Sequence, residues 1–228
     1  MANFDDCMRA AERRLEALPL EILTVEAGGR SYRIEAVRDH ERLLAAAGDC
    51  EPFPFGVLLW ESAIVLGDVL AEGASMKDVS VLELGAGTGV AGLVAASLGA
   101  VVVQTDYSCE ALALCRWNAA ANGMSGIDVR WVDWRNWHGD DMFDVVIAAD
   151  ILYEPELYSD IAGVLETVVR PGGAVLMTDP GRIHAPRFWV ELERAGWAVT
   201  AERRMVEGLP PNTSGKMIGI DVIRARRL

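Results

Sequence analysis

Between residues 79 and 98 the chain changes its hydrophobic period. Val81-Leu-Glu-Leu-Gly-Ala-Gly-Thr-Gly89 carries a short apolar strand pattern into glycines at alternate positions, Gly85, Gly87 and Gly89, and an alanine-rich helical pattern follows. Such a run forms a strand, a tight turn and a helix N-terminus. Glycine permits the unusual φ values of that turn and leaves no Cβ in the way of a ligand laid against the backbone. The helix start offers unpaired N–H groups to an anionic end of the ligand. The acid Glu83 enters the turn from the strand. Residues 84–105 carry no charge and are nearly long enough to span a membrane. The glycines at 85, 87, 89, 92 and 99 fit strand, turn, helix and strand better.

The rest of the chain repeats this alternation. Residues 3–18 read as an amphipathic helix stopped by Pro19, and 22–26 with 32–35 as a β-hairpin around Ala27-Gly-Gly-Arg30. A loop with Pro52 and Pro54 leads to a helix over 58–70. Strands are expected over 79–84, 101–105, 127–132, 145–149 and 174–178. Helices are expected between them over 89–98, 108–122 and 156–169, the last ended by Pro171-Gly-Gly. A helix over 186–195 precedes strands over 197–201 and 216–224, which a turn-rich stretch joins. Repeated strand–helix units imply right-handed crossovers and a doubly wound, mostly parallel α/β sheet of seven strands. The final pair lacks an intervening helix and gives an antiparallel last strand. The expected division is a small helix-and-hairpin addition over 1–55 and one main domain over 56–228.

A formal net charge of −13 argues against a protein that coats nucleic acid. Cys7, Cys50, Cys109 and Cys115 show neither CxxC nor mixed Cys/His spacing, so no metal site is expected. They read as reduced thiols, with Cys115 packed as a small apolar group. The first residues lack the layout of a signal peptide, and a cytoplasmic location is expected.

In an open parallel sheet, ligands lie outside the carboxyl ends of the strands, so the residue at each strand end is informative. Asp106 follows the second strand of the alternation and suits ribose hydroxyls, since Ser108 is free to cap the next helix. Asp133-Trp134 follows the third and suits an adenine, with a carboxylate for its amine and an indole for its face. Asp150-Ile-Leu-Tyr153 follows the fourth, which places an acid at the crevice floor and a tyrosine beside it. Trp60 precedes the sheet as helix core or as a lid.

The ordered set Leu59-Trp60-x-Ser62, Glu83-x-Gly-x-Gly-x-Gly89, Asp106, Asp133-Trp134 and Asp150-x-x-Tyr153 resembles the seven-strand (class I) methyltransferases that use S-adenosylmethionine (SAM). Within them it is similar to the lysine methyltransferases called family 16, whose bacterial relatives carry the label nicotinamide N-methyltransferase-like. The resemblance covers roughly residues 52–200. It implies SAM contacts at Trp60, Glu83, Gly85, Gly87, Asp106, Trp134 and Ala149, with Thr88, Gly89, Tyr107 and Asp133 in the same set. It implies catalytic roles for Asp150 and Tyr153. The acceptor it implies is a protein lysine or a small amine. The acidic charge and the glycine-interrupted apolar run separately set the expectation of no nucleic acid and no membrane, and a monomer is expected. Glu61 departs from the frequent proline between the Trp and the Ser, which bears on where that helix starts.

Two other classes compete. Gly87-x-Gly89-x-x-Gly92 followed by Asp106 formally fits an NAD-binding fingerprint, which places an oxidoreductase among the alternatives. A non-catalytic module that binds SAM is the other.

Overall fold

The structure is a computed structural model in which residues 3–47, 53–211 and 215–227 are described. Cys50, Pro52 and part of the turn over 209–214 fall outside them. An N-terminal helix, α1 (Phe4–Leu15), precedes the hairpin β1 (Glu21–Ala27) and β2 (Arg30–Ala36). A helix α2 (His40–Ala47) follows, in a stretch for which the sequence pattern named no element. Then come α3 (Glu61–Glu72), β3 (Ser80–Leu84), α4 (Val90–Ser97), β4 (Val101–Asp106), α5 (Cys109–Ala121) and β5 (Asp128–Trp131). The chain closes with β6 (Phe143–Ala149), α6 (Tyr158–Val168), β7 (Val169–Asp179), α7 (Ala185–Arg194), β8 (Trp197–Glu207) and β9 (Met217–Arg227).

The main sheet has the order β5-β4-β3-β6-β7-β9-β8. Strands β3 to β7 pair in parallel, while β9 pairs antiparallel with β7 and with β8. The expected fold class is therefore the observed one. The strand order reverses at the β3–β6 neighbours, which is where a crevice opens in a doubly wound sheet. Alternation along β3 divides the core: Val81 packs with α3 and α4, while Leu82 and Leu84 pack with α6 and α7.

Two elements run longer than their local patterns suggest. β7 starts at Val169 and passes through Pro171-Gly172-Gly173, the run expected to end the helix as a turn. Its pairing with β6 steps from Phe143↔Val169 to Val145↔Ala174, so an irregularity absorbs the proline and glycines. β8 continues past residue 201 because β9 pairs with it along its whole length, from Trp197↔Arg227 to Glu207↔Met217.

The hairpin is fastened by two asparagines one helical turn apart. Asn118 exchanges hydrogen bonds with the backbone of Glu35, at 2.7 and 3.1 Å, and Asn122 does the same with Arg33, at 2.9 and 2.8 Å. Four residues of helix rise about 6 Å, and two residues of strand advance about 6.6 Å, so the amides of α5 match the period of β2 and stand in for a strand. At the hairpin tip, Gly28 and Gly29 take φ of 57° and 70°. The Gly28 N–H donates to Asp68 of α3 at 2.7 Å.

The cysteine expectation is corrected. Cys7 of α1 and Cys109 of α5 form a disulfide across 102 residues, because α1 packs along the start of α5. Arg14 and Glu110 pair across the same contact. Cys115 is buried and free, as expected.

Candidate active site

The glycine turn leaves β3 with three left-handed residues, Gly85, Gly87 and Gly89, at φ 65°, 54° and 78°. Their tolerance of this region is what lets the chain fold back so sharply. At Gly85 a Cβ would stand 2.7 Å from Ile151 and 3.3 Å from the Trp134 ring, so the turn lies on those two side chains.

Glu83 is placed under the turn, and the cavity lining does not include it. Its Oε2 accepts from the Gly92 N–H at 3.2 Å and from Gln104 Nε2 at 2.7 Å, and Gln104 Nε2 also reaches the Gly89 carbonyl at 3.0 Å. Burial pushes its pKa up to about 7, against the donation from Gln104 and Gly92. A Cβ on Gly92 would fall 2.4 Å from that carboxylate oxygen. The third glycine of the NAD-like fingerprint is thus required by an internal acid.

Asp106 closes the turn from the next strand. Its two oxygens accept from the Gly87 N–H at 3.0 Å and the Ser108 N–H at 2.9 Å. Burial raises its pKa, and the Ser108 and Gly87 N–H groups oppose that rise. Ser108 caps α5 through its own side chain, which accepts from Ala111 N, so Asp106 is released from capping.

A cavity of about 730 Å³ opens above these elements. Of the sequence-derived residues, Trp60, Gly85, Gly87, Asp106, Tyr107 and Trp134 line it, and Ala149, Asp150 and Tyr153 continue the same wall. Thr88, Gly89 and Asp133 do not contribute to the lining. Thr88 is buried, with its carbonyl accepting from Asn118. Asp133 is taken by Arg135 in a two-pronged pair, at 2.9 and 2.7 Å, whose side-chain hydrogen bond lowers its pKa. Trp60 stands at the N-cap position of α3, which starts at Glu61, without a capping bond from its side chain, and its Nε1 donates to the Phe55 carbonyl at 3.3 Å. Phe53, Phe55 and His40 gather around it at the rim.

Asp150 occupies the end of β6 at φ 61°, a left-handed conformation uncommon outside glycine. Its N–H donates to the Thr178 carbonyl of the neighbouring strand at 2.8 Å, which fixes the backbone there. Its side chain is 8% exposed and accepts a hydrogen bond from Arg182. Burial pushes its pKa up to about 6, against the pull of Arg182. Tyr153 stays 37% exposed, and partial burial raises its pKa.

Sequence reading missed Arg182, and it missed the apolar lobe of the cavity formed by Leu18, Phe53 and Phe55. The end of β7, Asp179-Pro-Gly-Arg182, carries the same strand-end signal as the other strands and points to Arg182. The lobe has no such signal, because its residues reach the site from separate N-terminal segments.

Residues 41–192 match the family model described as lysine methyltransferase. The chain belongs to that family. It is 34% identical to protein N-lysine methyltransferase METTL21A of Xenopus tropicalis over 74% of its length and 76% of the relative's. It is 25% identical to histone-arginine methyltransferase METTL23 of Xenopus laevis over 72% of its length and 69% of the relative's. Among solved structures, the ribosomal protein L11 methylase of Lactobacillus delbrueckii subsp. bulgaricus aligns with a TM-score of 0.57 at 22% identity, covering 74% of this chain and 79% of that one. That likeness bears on the fold alone. The chain is thus a member of a methyltransferase family, and that membership implies SAM as methyl donor. The oxidoreductase alternative is set aside. No helix among the described residues is long and apolar enough to cross a membrane.

Proposed function

We propose that this chain binds SAM in the cavity and transfers its methyl group to the ε-amine of a protein lysine. The observation that carries this reading is the continuity of one cavity from the glycine turn, past Ala149, to Asp150 and Tyr153. Donor and acceptor ends thereby share one space.

The residues fit the donor. Gly85 and Gly87 present backbone without side chains, and the Trp134 Nε1 atom is buried with no hydrogen-bond partner in the structure. Asp106 keeps acceptor capacity on both oxygens for ribose hydroxyls. When bound, SAM supplies an electrophilic methyl carbon on a sulfonium. The acceptor nitrogen would have to arrive with a free lone pair to form the N–C bond, the bonding pair of the broken C–S bond staying on sulfur. The surplus proton on nitrogen then passes to water. Holding the nitrogen close and in line supplies much of the rate. Asp150 orients the amine and Tyr153 shapes its channel. Residues 1–55 are taken as an addition that helps to select the acceptor, since Leu18 and Phe53 line the cavity.

Incubation of a cell lysate with the protein and tritiated SAM tests this. Labelled protein bands whose label maps to methyl-lysine support it; label confined to small molecules would reassign the acceptor to a small amine. Asp150→Ala is expected to abolish transfer while calorimetry still detects SAM binding. Loss of SAM binding in that variant would make Asp150 a cofactor residue and end its proposed role.

A further inference from the structure

Arg182 reaches the cavity from the turn after β7. Its Nη1 donates to Asp150 Oδ1 and lies 3.3 Å from Asp179 Oδ2. Its own backbone N–H donates to Asp179 Oδ1 at 2.7 Å, and the Gly181 N–H joins at 2.8 Å. One carboxylate therefore holds the residue at both ends. Asp179 is 1% exposed and Arg182 is 25% exposed, so the three charges share a largely desolvated pocket. Such groups keep their charges only in a fixed, mutually paired geometry. Burial works against the charge of Arg182, and Asp150 and Asp179 together outweigh it. The charged and titratable groups facing Asp150 are Arg182, Asp179 of β7, Glu61 of α3 and Tyr153.

We propose that Arg182 is a positioning residue for methyl transfer: it pins Asp150 through Oδ1 and partly offsets its charge, so that the acceptor nitrogen meets a paired carboxylate instead of a bare one. This rests on the lysine reading given above. A bare carboxylate next to an amine stabilises the ammonium, the form with no lone pair to give. A carboxylate already facing a guanidinium does so less, while its second oxygen still accepts an N–H from the acceptor. The left-handed backbone of Asp150 belongs to the same device, since it sets the direction from which the carboxyl group meets Arg182.

Two measurements on the full chain decide it. In the first, aspartate carboxyl groups are labelled with carbon-13 and titrated by NMR, with Asp150→Asn identifying the Asp150 signal. Arg182→Gln is expected to raise the Asp150 midpoint by about one pH unit or more. In the second, tritium transfer from SAM to the lysate band labelled by the wild type is followed against pH. The rising limb is expected to move to higher pH in Arg182→Gln and to return toward the wild-type position in Arg182→Lys, with SAM affinity kept within about twofold. An unmoved carboxyl midpoint overturns the proposal, because a merely structural role for Arg182 would leave it in place. So does an unshifted limb, or a tenfold loss of SAM affinity, which would make Arg182 a donor-binding group. Failure of the wild type to label any protein would end the lysine reading itself, a result distinct from any of these.

Discussion

Glu83 is a carboxylic acid walled in beneath the glycine turn, and its ionisation acts on the stability of the whole domain. Its folded pKa is about 7 against an ordinary value of 4.5, chiefly because burial disfavours the charged form. For an acid raised in this way, the stabilising contribution is complete below the unfolded value and is lost as pH rises through the folded one. The window is therefore pH 4.5 to about 7. Linkage with these two values removes about 2.5 kcal/mol between pH 5 and pH 8. Glu83→Gln abolishes the titration and keeps an oxygen that accepts from Gly92 and Gln104. Urea unfolding followed by tryptophan fluorescence at half-unit pH steps compares the two proteins. The wild type is expected to lose about 2.5 kcal/mol more than the variant over that range, whatever their difference at pH 5. Groups titrating alike in both proteins cancel in this comparison. A stability difference constant to within about 0.5 kcal/mol across the range would refute the assignment of a raised, buried acid.

Gly92→Ala is expected to destabilise by about 1–3 kcal/mol and lower the calorimetric melting temperature, since the new Cβ meets the Glu83 carboxylate; an exposed helical glycine would instead gain up to about 1 kcal/mol. Asn118→Ala strips partners from the Glu35 backbone and the Thr88 carbonyl and is expected to cost about 1–3 kcal/mol in chemical unfolding, a value near zero contradicting the fastening of the hairpin. Peptide mapping without reductant is expected to recover Cys7 and Cys109 cross-linked, and reduction to cost about 2–4 kcal/mol. Alkylation of both cysteines in the unreduced native protein would overturn that pairing.

Much of the fold was legible because its signals are local. The glycine turn, the apolar run of β6 and the Asn122-Gly123 end of α5 each announce themselves within a few residues. Strand ends were equally legible, since a parallel sheet brings its carboxyl edges together, and Gly85, Asp106, Trp134 and Asp150 do share one cavity. The errors have a common source in partners distant along the chain. β8 looked short because its charged stretch near Glu202 and Arg203 becomes a strand only against β9. Cys7 looked like a free thiol because Cys109 lies 102 residues away.

The glycine run shows the division most clearly. Its sequence alone determined a strand, a left-handed turn and a helix start, because those φ values are open to few residues but glycine. It also bounded the chemistry to a ligand lying on bare backbone. What each neighbour contributes was decided by tertiary structure. Glu83 supports the turn from below, Gly92 is bare to admit that acid, and Asp133 is paired with Arg135. Of the acids that line the cavity, Asp150 meets a guanidinium from another strand end. A pattern of side chains fixes local conformation, because φ preferences and periodicity act between near neighbours. The charge state of a buried carboxylate depends on what packs around it, and that is set only when the chain has folded.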